Sequence, residues 1–207
     1  MIPSKFRRHT RRAQHGVVLF VAMITMLALA LAALALDRAV ATDATIAANV
    51  DARTHATLLA SDAIERAIAG LFETGAIADR SADDVAHNYF ASRQVSEDAR
   101  GVPRVLQVIA NYPTDAAIVD AGDRHQLRYV IERLCLRPGP AATDNCTLTP
   151  PSAAAARGTP PPGEPPRTPI YRVTVRVDGP AGTTAFVQAM LGESQTRHRL
   201  SWRALDE

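Results

Sequence analysis

Lysine is nearly missing: Lys5 is the only one in 207 residues, and apart from a cluster at the amino terminus the arginines are scattered. Residues 1 to 16 hold Lys5, Arg7, Arg8, Arg11 and Arg12 and no acid, so the total of 23 basic side chains less these five leaves 18 against 21 acidic ones. The formal charge of +2 thus divides into a leader of +5 and a remainder of −3. A nucleic-acid-binding domain needs a basic face that displaces phosphate counterions, and this acidic remainder excludes one. Cysteine is equally sparse. Two residues, Cys135 and Cys146, exclude a disulfide-dense scaffold and a zinc site built from cysteine alone, and leave room for one staple.

Catalytic patterns are missing as well. There is no GxSxG, no HExxH and no GxxxxGK[ST], and the six histidines (His9, His15, His55, His87, His125, His198) are dispersed. Ser61, Asp62 and His55 share one helical segment without the spacing of a triad. Asp83, Asp84 and His87 resemble a metal cluster only superficially, because acids are favoured in a first helical turn in any case. The expectation is a protein that is not an enzyme, with no cofactor, no metal, no small-molecule substrate and no nucleic acid. A chain of 22.2 kDa has room for one domain of ordinary size, or a small domain with an appendage.

What is present begins at Val17. The run VVLFVAMITMLALALAALAL reaches Leu36 with Thr25 as its only polar member. Its length, about 30 Å as a helix, matches the bilayer hydrocarbon. With the basic cluster before it and Asp37 after it, the positive-inside bias expects a cytoplasmic N-terminus and an exported body. Three readings fit this segment. It is a plain signal anchor; or a secretory signal cut at Ala33-Leu34-Ala35, for which its apolar core is too long; or a prepilin-type signal, in which a basic leader ends in Gly16 and the apolar run becomes the mature N-terminus.

Beyond Asp37 no proline or glycine occurs until Gly70. Apolar residues recur at Ile46, Val50, Leu58, Ile64, Ile68 and Leu71, with Ala47, Ala60 and Ala67 among them and Asp51, Arg53, Asp62, Glu65 and Arg66 between them. These intervals predict an amphipathic helix that continues the membrane helix through about residue 73. The first part would lie in lipid or among copies of itself, and the second would pack on its own body.

The stretch from Arg12 to Ile68, with glycine followed by aliphatics, a Leu/Ala-rich span, Asn49, and an Ala/Glu-rich continuation, resembles the N-terminal region of PilX-type minor pilins of type IV pilus systems. The segment YRVTVRVDGPAGTTAFVQAML resembles the closing strands of that family. The resemblance covers roughly 80 residues. It implies cleavage between Gly16 and Val17 by a prepilin peptidase, N-methylation of Val17, and a priming role at the pilus tip. The implied partners are other minor pilins, the major pilin, the inner-membrane assembly platform and a tip adhesin. The implied location is the inner membrane, with a periplasmic body, and then the pilus tip. Most pilins carry glutamate five residues into the mature chain, where this chain has Val21. An acid at that depth needs a partner; a subunit without one suits a position with no neighbour above it. Ala28 and Ala32 are small enough for close helix packing. A type II secretion pseudopilin shares these N-terminal features, and a membrane-tethered periplasmic binding module is the remaining alternative.

In the body, residues 74–207, Ser81 through Asp84 followed by Val85, Tyr89 and Phe90 predict a short helix over about 82–92. After Gly101-Val102-Pro103 the expected elements are strands: Arg104 to Asn111, Gln126 to Leu136, Ile170 to Asp178, Thr184 to Leu191, and Arg197 to Arg203. In the third of these Tyr171, Val173, Val175 and Val177 alternate with Arg172, Thr174 and Arg176, which predicts one apolar face and one wet face. Ten of the fourteen prolines fall between 138 and 169, an exposed excursion between strands. In an oxidising compartment Cys135 and Cys146 would close a disulfide at its start. The expected fold is α+β, pilin-like: a long N-terminal helix packed on an antiparallel sheet of about four or five strands.

Overall fold

The structure, a computed structural model, describes residues 15–94, 98–122, 124–151, 155–158, 167–193 and 199–205. The chain divides into two compact units, Met1–Val50 and Asp51–Glu207. Residues 1–14 of the expected leader, the middle of the proline excursion and His198 lie outside the described residues. Helix α1 (His15–Ile68) runs without a break, as its lack of glycine and proline after Gly16 requires. In the first unit every described side chain from Val17 to Val50 is exposed. Thr25 and Thr42 donate their hydroxyls to the carbonyls of Ala22 and Arg38, so that neither interrupts the helix.

In the second unit α1 and the turn that follows it bury a narrow face made of Ala56, Ala60, Ala63, Ile64, Ala67, Ile68 and Leu71. Spacings of three and four put these on one side. The four alanines bring the backbone close to the sheet, and each of Ile64, Ile68 and Leu71 contributes about 1.5–3 kcal/mol by burial. Leu58, counted with this face from its spacing, is exposed, as are Ile46 and Val50. The helix ends in a π-turn, Ala69–Glu73, where the Thr74 amide bonds to the Ala69 carbonyl. The Ile77 amide takes the Gly70 carbonyl and the Arg80 guanidinium the Leu71 carbonyl, satisfying two of the acceptors left open at the helix end.

Among the described residues the sheet has six strands: β1 (Tyr89–Phe90), β2 (Ile118–Asp120), β3 (Gln126–Arg133), β4 (Ile170–Asp178), β5 (Thr184–Gly192) and β6 (Arg199–Ala204). Strands β3 to β6 form an antiparallel meander. The outer edge of β3 is shared: β2 pairs antiparallel at Gln126–Arg128 and β1 pairs parallel at Ile131 and Glu132. The sheet is therefore mixed rather than purely antiparallel. The α+β class with a helix on a sheet is as expected. Leu127, Tyr129 and Ile131 on β3, Tyr171, Val173, Val175 and Val177 on β4, and Val187, Ala189 and Leu191 on β5 complete the core under α1.

Three expectations are corrected. No helix forms over 82–92: one 3-10 turn, Val85–His87, capped by the Asp84 carboxylate, is stopped by Asn88 at φ 59°. Asp84 and Tyr89 then exchange both backbone hydrogen bonds, and Tyr89 enters the core. The expected strand from Arg104 to Asn111 is instead a short helix, α2 (Arg104–Gln107), followed by a 3-10 turn, Ile109–Asn111. Pro103 starts that helix, its carbonyl accepting the amides of Leu106 and Gln107. The third correction follows from the second. Val102, Leu106, Tyr112 and Ala116 lie over the far face of the sheet with Val130, Phe186 and Leu205, so the side of β4 expected to be wet is covered. Arg172 and Thr174 are buried.

Candidate functional site

Gly16 and Val17 fall at the start of the described α1. Val21, Ala28 and Ala32 follow at intervals of seven and four, on one stripe of an exposed apolar helix. This is one helix long and apolar enough to cross a membrane. The arrangement presents aliphatic and small side chains to lipid or to other helices. It contains no ionisable group between Val17 and Leu36.

On the covered face of the sheet, polar groups are matched in pairs. Glu132, fully buried on β3, receives two hydrogen bonds from Arg172 on β4, Nε to Oε2 at 2.8 Å and Nη2 to Oε1 at 3.0 Å, and one from the Gln94 amide at 2.7 Å. Asp178 takes Arg128 Nη1 at 2.6 Å and Arg176 Nε at 2.8 Å. Arg176 also donates to the Leu106 and Gln107 carbonyls, closing the end of α2. Gln188 bridges the Thr174 hydroxyl and the Gly101 carbonyl and accepts Arg203. A carboxylate taken out of water is tolerable only with such charge-assisted bonds. These pairs fix which strand lies beside which. The sequence carried a signal, since an acid and an arginine each stand within β-branched runs, but their pairing requires the strand register.

Titration behaviour follows the same contacts. Partial burial works against ionisation of Asp98, but the Val102 amide, the Arg100 guanidinium and the Arg100 amide outweigh it and hold its carboxyl below the ordinary range. Side-chain and backbone hydrogen bonds from Ser81 do the same for Asp79. Burial pushes Tyr112 up to about 12 and raises Tyr89 and Tyr129 above their ordinary value. Tyr112 and Tyr89 spend their hydroxyls on backbone carbonyls, Tyr112 on Ala117 and Tyr129, Tyr89 on Arg80.

Cys135 and Cys146 are joined in a disulfide, as expected. The loop it closes is held from inside: the Asn145 side chain accepts the Arg137 amide and donates to the Arg137 carbonyl. Arg133 anchors it from below, with Nη1 donating to the Arg80 and Gly139 carbonyls at 2.8 and 2.7 Å. Between this loop and the sheet lies an open cleft of about 420 Å³, lined by Arg93, Arg172, Asp144, Asn145, Thr147 and the disulfide. Its lining residues bring together hydrogen-bond donors and acceptors but no nucleophile paired with a base.

Of the residues weighed for chemistry, Ser61 donates to the Thr57 carbonyl and Asp62 pairs with Arg66, so neither meets His55. His87 Nδ1 lies 2.8 Å from Asp84 Oδ2, and Asp83 accepts the Ala91 amide. Among the described residues no group of three or more His, Cys, Asp or Glu side chains is arranged to hold a metal. One pairing was not foreseen: His55 on α1 and His125 in the β2–β3 turn meet edge to face, their ring centroids 4.9 Å apart. His125 is buried, and its Nδ1 has no hydrogen-bond partner among the described residues. Comparison of the chain with protein-family models, with curated proteins and with solved structures gave no match.

Proposed function

We propose that the chain is a PilX-type minor pilin, a structural subunit that helps prime a type IV pilus and sits at its tip. In this reading a prepilin peptidase cuts after Gly16 and Val17 becomes the N-methylated first residue. Residues 17–36 hold the subunit in the inner membrane, with the N-terminus cytoplasmic and the body periplasmic. The observation that carries the reading is the unbroken α1, apolar and exposed from Val17 to Leu36 and packed through Ala60, Ala63, Ile64 and Ala67 on the sheet of its own body. A tether needs the first half alone, and a soluble α+β domain the second alone. One helix serving both purposes suits a subunit that leaves the membrane as part of an assembly.

Val21 supports a terminal position, because an aliphatic side chain there offers no charge to a neighbour's ammonium group. Ala28 and Ala32 permit close approach of neighbouring helices. The chemistry is performed on the protein by its peptidase; the protein itself contributes packing surfaces to other minor pilins, the major pilin and a tip adhesin. Mass spectrometry of the mature N-terminus tests the proposal. A chain that begins at methylated Val17 is expected. An intact leader, or a chain beginning at Leu36 after a cut behind Ala35, would sink it in favour of a tether or a secreted protein. Gly16→Asp is expected to abolish processing while leaving membrane insertion intact.

A further inference from the structure

We infer that the outer edge of β6 accepts an extended segment of another protein, one in which apolar and acidic residues alternate. Among the described residues no strand pairs with that edge. The Leu205 amide bonds to the Phe186 carbonyl, so by the two-residue period of an antiparallel ladder Arg203 and Ser201 also turn their backbone groups toward β5. Trp202 and Ala204 then turn theirs outward. The register shift at Met190 and Leu191 lies beyond this stretch and leaves residues 201–204 regular. All four are exposed.

The two faces of the edge set the pattern of the occupant. Trp202 and Ala204 stand opposite Ala189 and Val187, which belong to the core under α1, so an added strand lays alternate side chains against an indole that is 38% exposed and a methyl group. Apolar residues suit that side. On the other face stand Ser201 and Arg203, opposite Met190 and Gln188. Arg203 Nη2 donates to Gln188 Oε1 at 2.8 Å and to the Arg100 carbonyl at 3.3 Å, both uncharged, and Arg203 meets no carboxylate among the described residues. An acid beside it supplies the missing counter-charge. A second copy of this chain cannot. Two β6 strands paired antiparallel about Ser201 set Arg199 opposite Arg203, and paired about Arg203 they set the two Arg203 opposite each other. Paired about Trp202 they set the two Arg203 on a diagonal of about 7–8 Å. In parallel register each arginine meets itself. Like charges across a ladder destabilise it, so the charge that opposes self-pairing selects a different, acidic strand. The inference does not depend on the pilin reading.

The test titrates the full chain in detergent with two synthetic peptides of about eight residues, one alternating valine and glutamate, the other valine and lysine. The acidic peptide should shift the emission of Trp202, the sole tryptophan, to the blue and slow hydrogen exchange at the Trp202 and Ala204 amides. It should bind about tenfold more tightly than the basic one. Ala204→Pro removes an outward amide without touching the ladder to β5, and should weaken the acidic peptide by about tenfold. Arg203→Glu, at an exposed position, should reverse the preference between the two peptides. Sedimentation of the wild-type chain should show no dimer that Ala204→Pro disperses. Binding of neither peptide, equal affinity for both, an affinity unchanged by Ala204→Pro, a preference unchanged by Arg203→Glu, or such a dimer would overturn the inference.

Discussion

Replacing Arg172 with methionine probes the covered face of the sheet most directly. Glu132 is fully inaccessible and the Arg172 side chain is 8% exposed, so the two charges meet away from water through two short hydrogen bonds. Methionine keeps an unbranched apolar stem in place of arginine's and removes the guanidinium. The buried carboxylate then loses its counter-charge, at a cost of about 3–5 kcal/mol. For a chain of this size that lowers the melting temperature by roughly 6–20 °C. Changing Glu132 to glutamine in the same chain removes the stranded charge while keeping an oxygen for the Gln94 amide. The double variant should recover most of the loss, to within about 1–2 kcal/mol of wild type. Urea unfolding of the full chain in detergent can follow Trp202, the sole tryptophan, on β6 beside Ala189 of β5. A loss below about 1 kcal/mol for the single variant would mean that the pair is solvated like a surface one. A double variant no better than the single would show that buried charge is not the cause.

Three other outcomes are expected. Ala63→Leu, at a position with no exposed surface between α1 and the sheet, should cost about 1–3 kcal/mol in the same urea experiment by overpacking. Replacing both Cys135 and Cys146 with alanine should cost about 3 kcal/mol, the chain entropy released when an 11-residue separation is no longer closed. At alkaline pH the sign follows from Tyr89, Tyr112 and Tyr129, whose folded forms hold their protons above the ordinary value near 10. Their contribution is complete below pH 10 and is lost as pH rises toward about 12 for Tyr112, so tyrosinate absorbance should appear together with loss of far-ultraviolet circular dichroism. Tyrosinate formed near pH 10 in a chain that stays folded would contradict this.

The parts of the fold legible in the sequence are those written in local periodicity. The valine alternation marks β4 at its observed bounds, Ile170–Asp178, and the absence of glycine and proline marks α1. The same alternation misleads about solvent, because Arg172 and Arg176 read as surface residues until Glu132 and Asp178 stand beside them. Polarity in a sequence reports what a side chain can bond to, and only the register tells which partner it has. Around Val105, Val108 and Ile109 the β-branched residues suggest a strand, but Pro103 starts a helical turn and β1 and β2 already occupy the edge of β3. The Asp-rich start at 83–84 reads as a helix cap and does cap one turn; Asn88 in the left-handed region then ends it. The contact between His55 and His125 has no local signature, because it arises from packing the β2–β3 turn against α1.

The two flanks of the sheet differ in what can be built onto them. On one flank the outer groups of β3 are divided between two short strands, and the Tyr129 carbonyl between them is taken by the Tyr112 hydroxyl. On the other flank β6 is the last strand, so one row of its amides and carbonyls faces outward. Among the described residues, β6 thus offers a six-residue edge, whereas the opposite flank ends in the much shorter β1 and β2. A strand added to β6 would lay one set of alternate side chains beside Trp202, on the side of α1, and the other set beside Arg203, whose guanidinium is already held by Gln188.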